Sequence, residues 1–357
     1  MKPSNKQIKK ITHFVSTTAD KNNIAIFNLI NKFFWKSKLA LISMFGLPLL
    51  FIVIYYAVAS SRGSSFKVTD GFNLYIGFSV MPIALVSLPQ LLVELKNSII
   101  LRRIAISNIS PFRYNFLMSV YFFAMCVIST IFIFIAVSAF ENVNMKTFLD
   151  SFDIPSYIYA LINFYVVSIS FGIILSSISK SSSWVQLVGL AIILFSLMLS
   201  GQFIPIHVIS NIMPIKIISL FSPLDYALGL MNNVIMAGQI KSFITAADYI
   251  VAQVDAVLPN LPPDAPLPIP QDILDKLRHI RDLLPAGGYN IFDLTQPFVL
   301  PNFSLLKGLG PESSLVGRTL YYPIYEIWQK SLNIVFPYVF LIGSTYLSVN
   351  RFSWSSR

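Results

Sequence analysis

Six long apolar runs without a single charged residue dominate this chain and constrain its fold more than any other feature. They are 39–60, 72–93, 114–140, 157–178, 183–203 and 332–349. A bilayer core about 30 Å thick needs about 20 helical residues to cross it. Because only helices and closed barrels satisfy their own backbone groups in lipid, runs of this length predict an all-α membrane protein with six transmembrane helices.

The absence of charge inside the runs also bears on function. Ion-coupled pumps and transporters usually carry Asp, Glu, His or Lys at membrane depth. None of the six runs holds such a residue. If this protein works on a substrate, the energy is therefore expected to come from elsewhere.

The positive charge alternates along the chain with the apolar runs. The net charge is +10, and only 12% of the residues are charged. The N-terminal arm, the loop after the second run, the loop at Lys180 and the C-terminal tail together hold 15 basic and 2 acidic residues, and the remaining loops hold 11 basic and 14 acidic. By the positive-inside rule, both termini are predicted to be cytoplasmic in a multi-pass protein of the cell membrane. This distribution argues against a nucleic-acid partner.

The chain divides into five predicted segments. Residues 1–38 form a basic cytoplasmic arm that ends in an amphipathic, interfacial connecting helix, and 39–245 hold five spans and a broken apolar stretch. Residues 246–288 have an abrupt change in composition, with seven of the 21 prolines, and predict an extracytoplasmic Pro-rich helical hairpin that resembles an insertion. An extracytoplasmic loop, 289–331, leads to the last span and cytoplasmic tail, 332–357.

The broken apolar stretch after the fifth run, 202–238, is interrupted by prolines and carries Lys216 and Asp225. A seventh span over 217–236 would bury Asp225 and would place the basic tail outside the cell. Charge alternation therefore favours short re-entrant or interfacial helices that do not cross. Irregular backbone at this depth is tolerated only where protein or water covers it.

No catalytic, metal or nucleotide site stands out in the sequence. Cys126 is the only cysteine, the three histidines are scattered, and no phosphate-binding glycine loop occurs. We therefore expect a protein that is not an enzyme and that binds no cofactor or metal in this chain.

Two stretches resemble the type-2 ATP-binding-cassette permeases, the membrane subunits of many bacterial exporters. Residues 94–113, with an acidic start, a basic helix and a Ser-Pro break, resemble the loop after the second span, and 199–226 resemble the Ser-Gly-x-x-x-Pro run after the fifth span with its later Ser-Pro-x-x-Tyr element. The resemblance implies a cytoplasmic coupling helix that contacts an ATPase and re-entrant extracytoplasmic helices. The positions that match are Glu94, Lys96, Arg102 and Arg103 for coupling, and Ser200, Gly201, Pro205, Pro214, Pro223 and Tyr226 for the re-entrant motif.

This resemblance implies a bacterial permease that works with partners. It predicts a cytoplasmic ATP-binding-cassette ATPase that binds the ATP, a second permease subunit in a homodimer or heterodimer, and contact with membrane lipid. The apolar, aromatic-rich spans are typical of an amphiphilic or hydrophobic cargo such as a drug, lipid or peptide. On the residues alone, two other readings stay open: a membrane scaffold that recruits a partner through its external hairpin, and a passive channel.

Overall fold

The structure, a computed structural model, is helical throughout the part of the chain that it describes. That part comprises residues 23–62, 71–96, 110–141, 149, 153–179, 181–200, 222, 224, 227–232, 234–235 and 327–351. No strand occurs within these ranges. The predicted all-α class is therefore confirmed for them. The hairpin predicted at 246–288 and the loop at 289–326 lie outside the described residues.

Besides the short helical segment 227–232, seven helices form the bundle in these ranges. We number them α1, 23–36; α2, 38–62; α3, 72–96; α4, Pro111–Glu141; α5, Ile154–Ile178; α6, Ser182–Leu199; and α7, Ile327–Arg351. Each of α2 and α3 contains one π-helical turn, Ile42–Gly46 in α2 and Ile83–Ser87 in α3. We call the end of the bundle that carries α1 the proximal end, and the opposite end the distal end.

Four of the helices are long and apolar enough to cross a membrane. They are Phe72–Lys96, Phe112–Phe140, Ile154–Ile178 and Ser182–Leu199. Shorter apolar helices, Ile42–Val58 and Val335–Ser348, occupy the positions of the first and last predicted spans. All six apolar runs thus fall on helices, and four of them are candidate spans. Crossing by α2 and α7 stays a prediction.

Helix α3 lies at the centre of the bundle. Its residues from Phe72 to Pro89 are all buried, and α2, α4, α5 and α6 pack around it. The sequence of α3 is apolar on every side rather than on one stripe, which is typical of a helix enclosed by others. The central helix ends with Glu94 and Lys96, at the start of the first of the two segments in which the sequence predicts function.

The starts of α4 and α5 follow standard capping chemistry. The Ser110 side chain accepts a hydrogen bond from the amide of Arg113 (3.3 Å), and Pro111 occupies the first helical position. Asp153 accepts from the amide of Ser156 (3.2 Å) in the same way. Short polar side chains at this position satisfy amides that have no partner within the helix. The predicted Ser-Pro break in 94–113 is thus the start of α4.

Each π-helical turn leaves a backbone carbonyl without its ordinary donor, and proline is the reason. In α2 the Leu47 amide donates to the carbonyl of Ile42, five residues back, and in α3 the Leu88 amide donates to Ile83. A proline follows in both cases, Pro48 and Pro89, and has no amide hydrogen to donate to the carbonyl four residues back.

The two turns are accommodated by different neighbours. In α2, the carbonyl of Met44 lies within hydrogen-bond distance of the hydroxyls of Ser79 on α3 (3.1 Å) and Ser129 on α4 (3.3 Å). The two hydroxyls also contact each other, so one of them donates to the carbonyl while the other can donate to that hydroxyl. In α3, glycines on two helices lie against the carbonyls instead. A methyl group at Gly172 of α5 would overlap the carbonyl oxygen of Ala84, and one at Gly189 of α6 would lie 2.5 Å from that of Leu85.

Candidate functional site

The predicted site residues that the structure describes fall at the two ends of the bundle. Glu94, Lys96 and Ser200 belong to the described residues. The remaining predicted positions lie outside them, namely Arg102, Arg103, Gly201, Pro205, Pro214, Pro223 and Tyr226. The geometry of the site therefore rests on the last turn of α3 at the proximal end and on the end of α6 at the distal end.

At the proximal end, Glu94 joins α3 to α6 through a short polar chain. Its carboxylate accepts from the side-chain amide of Gln90 (2.8 Å) and from the hydroxyl of Ser182 (3.4 Å). Gln90 in turn accepts from the side-chain amide of Gln186 on α6 (2.9 Å). Glu94 is exposed, so each contact is weak alone, but together they fix the start of the predicted coupling loop to α6.

Lys96 joins the same turn of α3 to α5. Its ammonium donates to the carbonyl of Ser176 (2.9 Å), in the last turn of α5. A cation is favourable there because the final carbonyls of a helix carry partial negative charge and have no partner within the helix. The side chain is half-buried. The two charged residues that precede the predicted coupling helix are thus bonded to the two helices that flank α3.

At the distal end, a buried chain of hydrogen bonds joins four elements. The Tyr157 hydroxyl on α5 donates to Asn73 on α3 (2.7 Å), and the side-chain amide of Asn73 donates to Asn232 (2.7 Å). Asn232 then donates to the carbonyl of Ser200 at the end of α6 (3.3 Å). All four residues are buried. Buried amides of this kind are specific connectors, because leaving one without a partner is costly.

The described part of the segment after α6 packs inside the distal end. Residues 227–232 are helical, and Leu224, Leu228 and Met231 belong to the hydrophobic core. Ser222 lies 3.4 Å from Ser196 of α6, oxygen to oxygen. This segment follows the fifth apolar run in the sequence. Its described residues from 222 to 234 are buried, as are residues 72–89 of the central helix. It therefore belongs to the core of the bundle and is not a peripheral loop.

Asn73, Tyr157 and Asn232 are site residues that the sequence reasoning missed. The available signal was the occurrence of Asn or Tyr near the start of an otherwise apolar run, where a buried side chain needs a polar partner. Only the fold reveals that three such residues on separate elements meet.

The buried polar side chains within the described ranges are serines and asparagines, and none of them is charged. Nor do the residues in those ranges bring three His, Cys, Asp or Glu side chains together in a way that could hold a metal ion. The contacts at both ends therefore connect helices through hydrogen bonds of polar side chains.

Comparisons with models of protein families, with curated proteins and with solved structures gave no match to this chain.

Proposed function

We propose that this chain is the membrane permease subunit of an ATP-binding-cassette exporter, which moves an amphiphilic or hydrophobic cargo and is driven by separate ATPase subunits. One observation carries the proposal. At the proximal end, Glu94 and Lys96 of α3 bond to α6 and α5, and at the distal end Ser200, which follows α6, is joined through Asn232 to Asn73 of α3 and from there to Tyr157 of α5. A movement imposed on the proximal segment has a direct physical route to the distal one.

The proposed mechanism follows from these attachments. ATP binding by the partner displaces the coupling loop, and Lys96 and Glu94 transmit the displacement to α5 and α6. Helices are stiff along their axes because each residue is held by backbone hydrogen bonds at a rise of about 1.5 Å. At the distal end, the movement separates Tyr157, Asn73 and Asn232, which lie on separate elements and are held together there by hydrogen bonds. Their hydrogen bonds are remade when the loop returns.

An external energy source is supported by the chemistry of the spans. No charged residue lies within the six apolar runs, so they offer no carboxylate, ammonium or imidazole to couple cargo movement to an ion gradient. In this proposal the two permease subunits line one path, and two ATPases alternate it between inward-open and outward-open states.

The proposed topology has six spans, cytoplasmic termini and re-entrant helices after α6. Cysteine labelling tests it, because Cys126 is the only native cysteine and replacing it with alanine leaves a clean background. In that background Ser64→Cys and Asp264→Cys should react with an impermeant reagent from outside the cell, and Asn97→Cys only from the cytoplasmic side. Labelling of positions 97 and 264 from the same side contradicts the six-span arrangement.

The coupling role is tested by reversing charge on the predicted coupling helix. Arg102→Glu with Arg103→Glu should abolish co-purification with the ATPase and cargo-stimulated ATP hydrolysis, while membrane insertion is unchanged. Charges at the rim of an interface act mainly on partner choice and association rate. The matched control is Arg351→Glu with Arg357→Glu, which changes the net charge equally in the C-terminal tail and should leave hydrolysis intact. Full coupling in the first variant would contradict the assignment.

The two other readings predict different outcomes of the same reconstitution. A passive channel would conduct cargo or ions in liposomes without any ATPase. A scaffold would bind its partner through the external segment, would tolerate the Arg102 and Arg103 substitutions, and would not alter ATP hydrolysis.

A further inference from the structure

Helix α1 has three distinct faces, which differ in burial and in charge. The first face, formed by Ile26, Ile30 and Phe34, is buried against α4. The second is apolar but exposed and is formed by Ile24, Phe27 and Trp35. The third carries Lys32 and Lys36, both exposed and one helical turn apart. Lys38, exposed at the start of α2, extends this cationic face.

Contacts with α4 fix the rotation of α1, so these faces are not interchangeable. The Tyr121 hydroxyl donates to Asn31 (3.0 Å), and the Arg113 guanidinium donates to Asn23 (2.9 Å). The ring of Tyr121 also packs edge-on against Phe27 at 5.1 Å and Phe34 at 5.8 Å. The lysines are therefore held on the outer side of the helix and cannot turn toward the core.

The position of α1 along α4 places these lysines near a membrane surface. Helix α4 has 31 residues and is about 46 Å long, which exceeds the hydrocarbon core by about 16 Å. Helix α1 packs on its first third, between Arg113 and Phe122. The exposed rings of Phe112, Phe116 and Trp35 lie in the same region, and Trp in particular is enriched at the headgroup level.

We propose that Lys32, Lys36 and Lys38 form a binding surface for anionic phospholipid headgroups. Residues 23–62 contain no Asp or Glu, so the chain itself supplies no counter-charge to these lysines in this stretch. Ile42, Leu50 and Val53 of α2, the helix that follows α1, are also apolar and exposed. The cations thus border a surface that faces acyl chains, which fits a lipid headgroup and not an acidic protein surface in water.

The test compares thermal stabilisation of the full-length chain in detergent by added phosphatidylglycerol and by added phosphatidylcholine. Wild-type protein should show a larger increase in Tm with phosphatidylglycerol, and this difference should disappear at high salt. Lys32→Gln, Lys36→Gln and Lys38→Gln combined should lose at least half of the difference. Replacing the same three lysines with arginine should preserve it, and this shows that a loss in the glutamine variant is not caused by misfolding.

The matched control replaces three lysines of the preceding arm, Lys2, Lys6 and Lys9, with glutamine and should keep the preference for phosphatidylglycerol. Equal losses in both glutamine variants, or an unchanged preference in the first, would overturn the proposal. Stabilisation by inorganic phosphate alone to the same extent would overturn it too. A variant that keeps its lipid response but loses co-purification with the ATPase would assign the lysines to a protein partner. The measurements of stabilisation by lipid require neither transport nor an ATPase, so they are independent of the proposed function.

Discussion

The π-helical turns of α2 and α3 have the same local cause but opposite tertiary solutions. In both helices a five-residue π-helical turn is followed by a leucine and then by a proline, over 42–48 and 83–89. In α2 the hydroxyls of Ser79 and Ser129 lie within hydrogen-bond distance of the Met44 carbonyl. In α3 the carbonyls of Ala84 and Leu85 lie against glycines of α5 and α6. The first solution uses hydrogen bonds between helices and the second uses close backbone approach.

The difference shows how the position of a turn selects its partner. The turn in α2 contacts α3 and α4, and each of these helices places a serine hydroxyl within hydrogen-bond distance of it. The turn in α3 lies at the centre, where α5 and α6 pack on it together and space is short. Small residues let helices approach closely in membranes, where packing rather than a hydrophobic driving force holds them together. Substitutions at the two turns should therefore fail for different reasons.

The largest effect is expected for Gly172→Ala. The added methyl group would overlap a backbone carbonyl oxygen, which cannot move aside as a flexible side chain can, so α5 and α3 must separate. We expect a loss of about 3 kcal/mol, at the upper end for overpacked cores. The measurement is chemical unfolding in detergent, with Gly343→Ala on α7 as the control, because nothing lies within 4 Å of its added methyl. A wild-type unfolding midpoint for Gly172→Ala would contradict the close approach.

Gly189→Ala should destabilise the protein less, by about 2 kcal/mol. Its added methyl would lie 2.5 Å from the Leu85 carbonyl oxygen and 3.0 Å from a methyl of Val86. Gly77→Ala provides a graded comparison, since the nearest atom there is a leucine methyl at 2.9 Å that can rotate away. Thermal unfolding should rank Gly172, Gly189 and Gly77 in decreasing order of loss. A reversed order would mean that the carbonyl oxygens of α3 are not what excludes larger residues at Gly172 and Gly189.

At the turn of α2, removal of both serine hydroxyls should destabilise the bundle by about 2 kcal/mol, because a buried carbonyl then loses its donors. Ser79→Ala or Ser129→Ala alone should cost much less, since the other hydroxyl still donates to Met44. A double-mutant cycle measures this as a loss in the double variant that exceeds the sum of the single losses. Additive losses would show that the two serines do not share an acceptor.

The smallest effect and the sharpest comparison come from the prolines. In a Pro48→Ala background, the new amide can donate to Met44, so the double serine substitution should cost about 1 kcal/mol less than in wild type. Pro89→Ala restores an amide at the other turn and should leave the serine loss unchanged. The same unfolding assay measures the loss caused by the double serine substitution in three backgrounds, namely wild type, Pro48→Ala and Pro89→Ala. If Pro48→Ala and Pro89→Ala reduced the loss from the double serine substitution equally, the cause would be a general change in flexibility and not a new local donor.

The positions of the helices could be predicted from the sequence more fully than the irregular turns within them. Each apolar run lies on a helix, and the Ser-Pro break before α4 is its start. The π-helical turns were not predicted, although Pro48 and Pro89 mark them, because a proline inside an apolar run is also compatible with a simple kink. The two prolines became informative only when the amides of Leu47 and Leu88 were seen to bond five residues back.

The functional roles of the candidate site residues stay predictions, and the structure describes the contacts of three of them. Glu94, Lys96 and Ser200 were selected by resemblance, and the structure adds their partners Ser182, Ser176 and Asn232. Asn73 and Tyr157 were missed, because a single polar residue near the start of an apolar run does not indicate what it will contact. The contacts join residues as far apart as Asn73 and Asn232 in the chain, and no local pattern encodes such a pair.

The sequence alone determined the class of this protein, the positions of its helices and the alternation of its charge. These properties depend on the length of apolar runs and on the exclusion of charge from lipid, both of which are local. The tertiary structure decided which helix is central, which carbonyls are covered by serine and which by glycine, and how the two ends connect. A run that is apolar on all sides can face lipid or protein equally well, so its orientation is fixed only when the other helices pack around it.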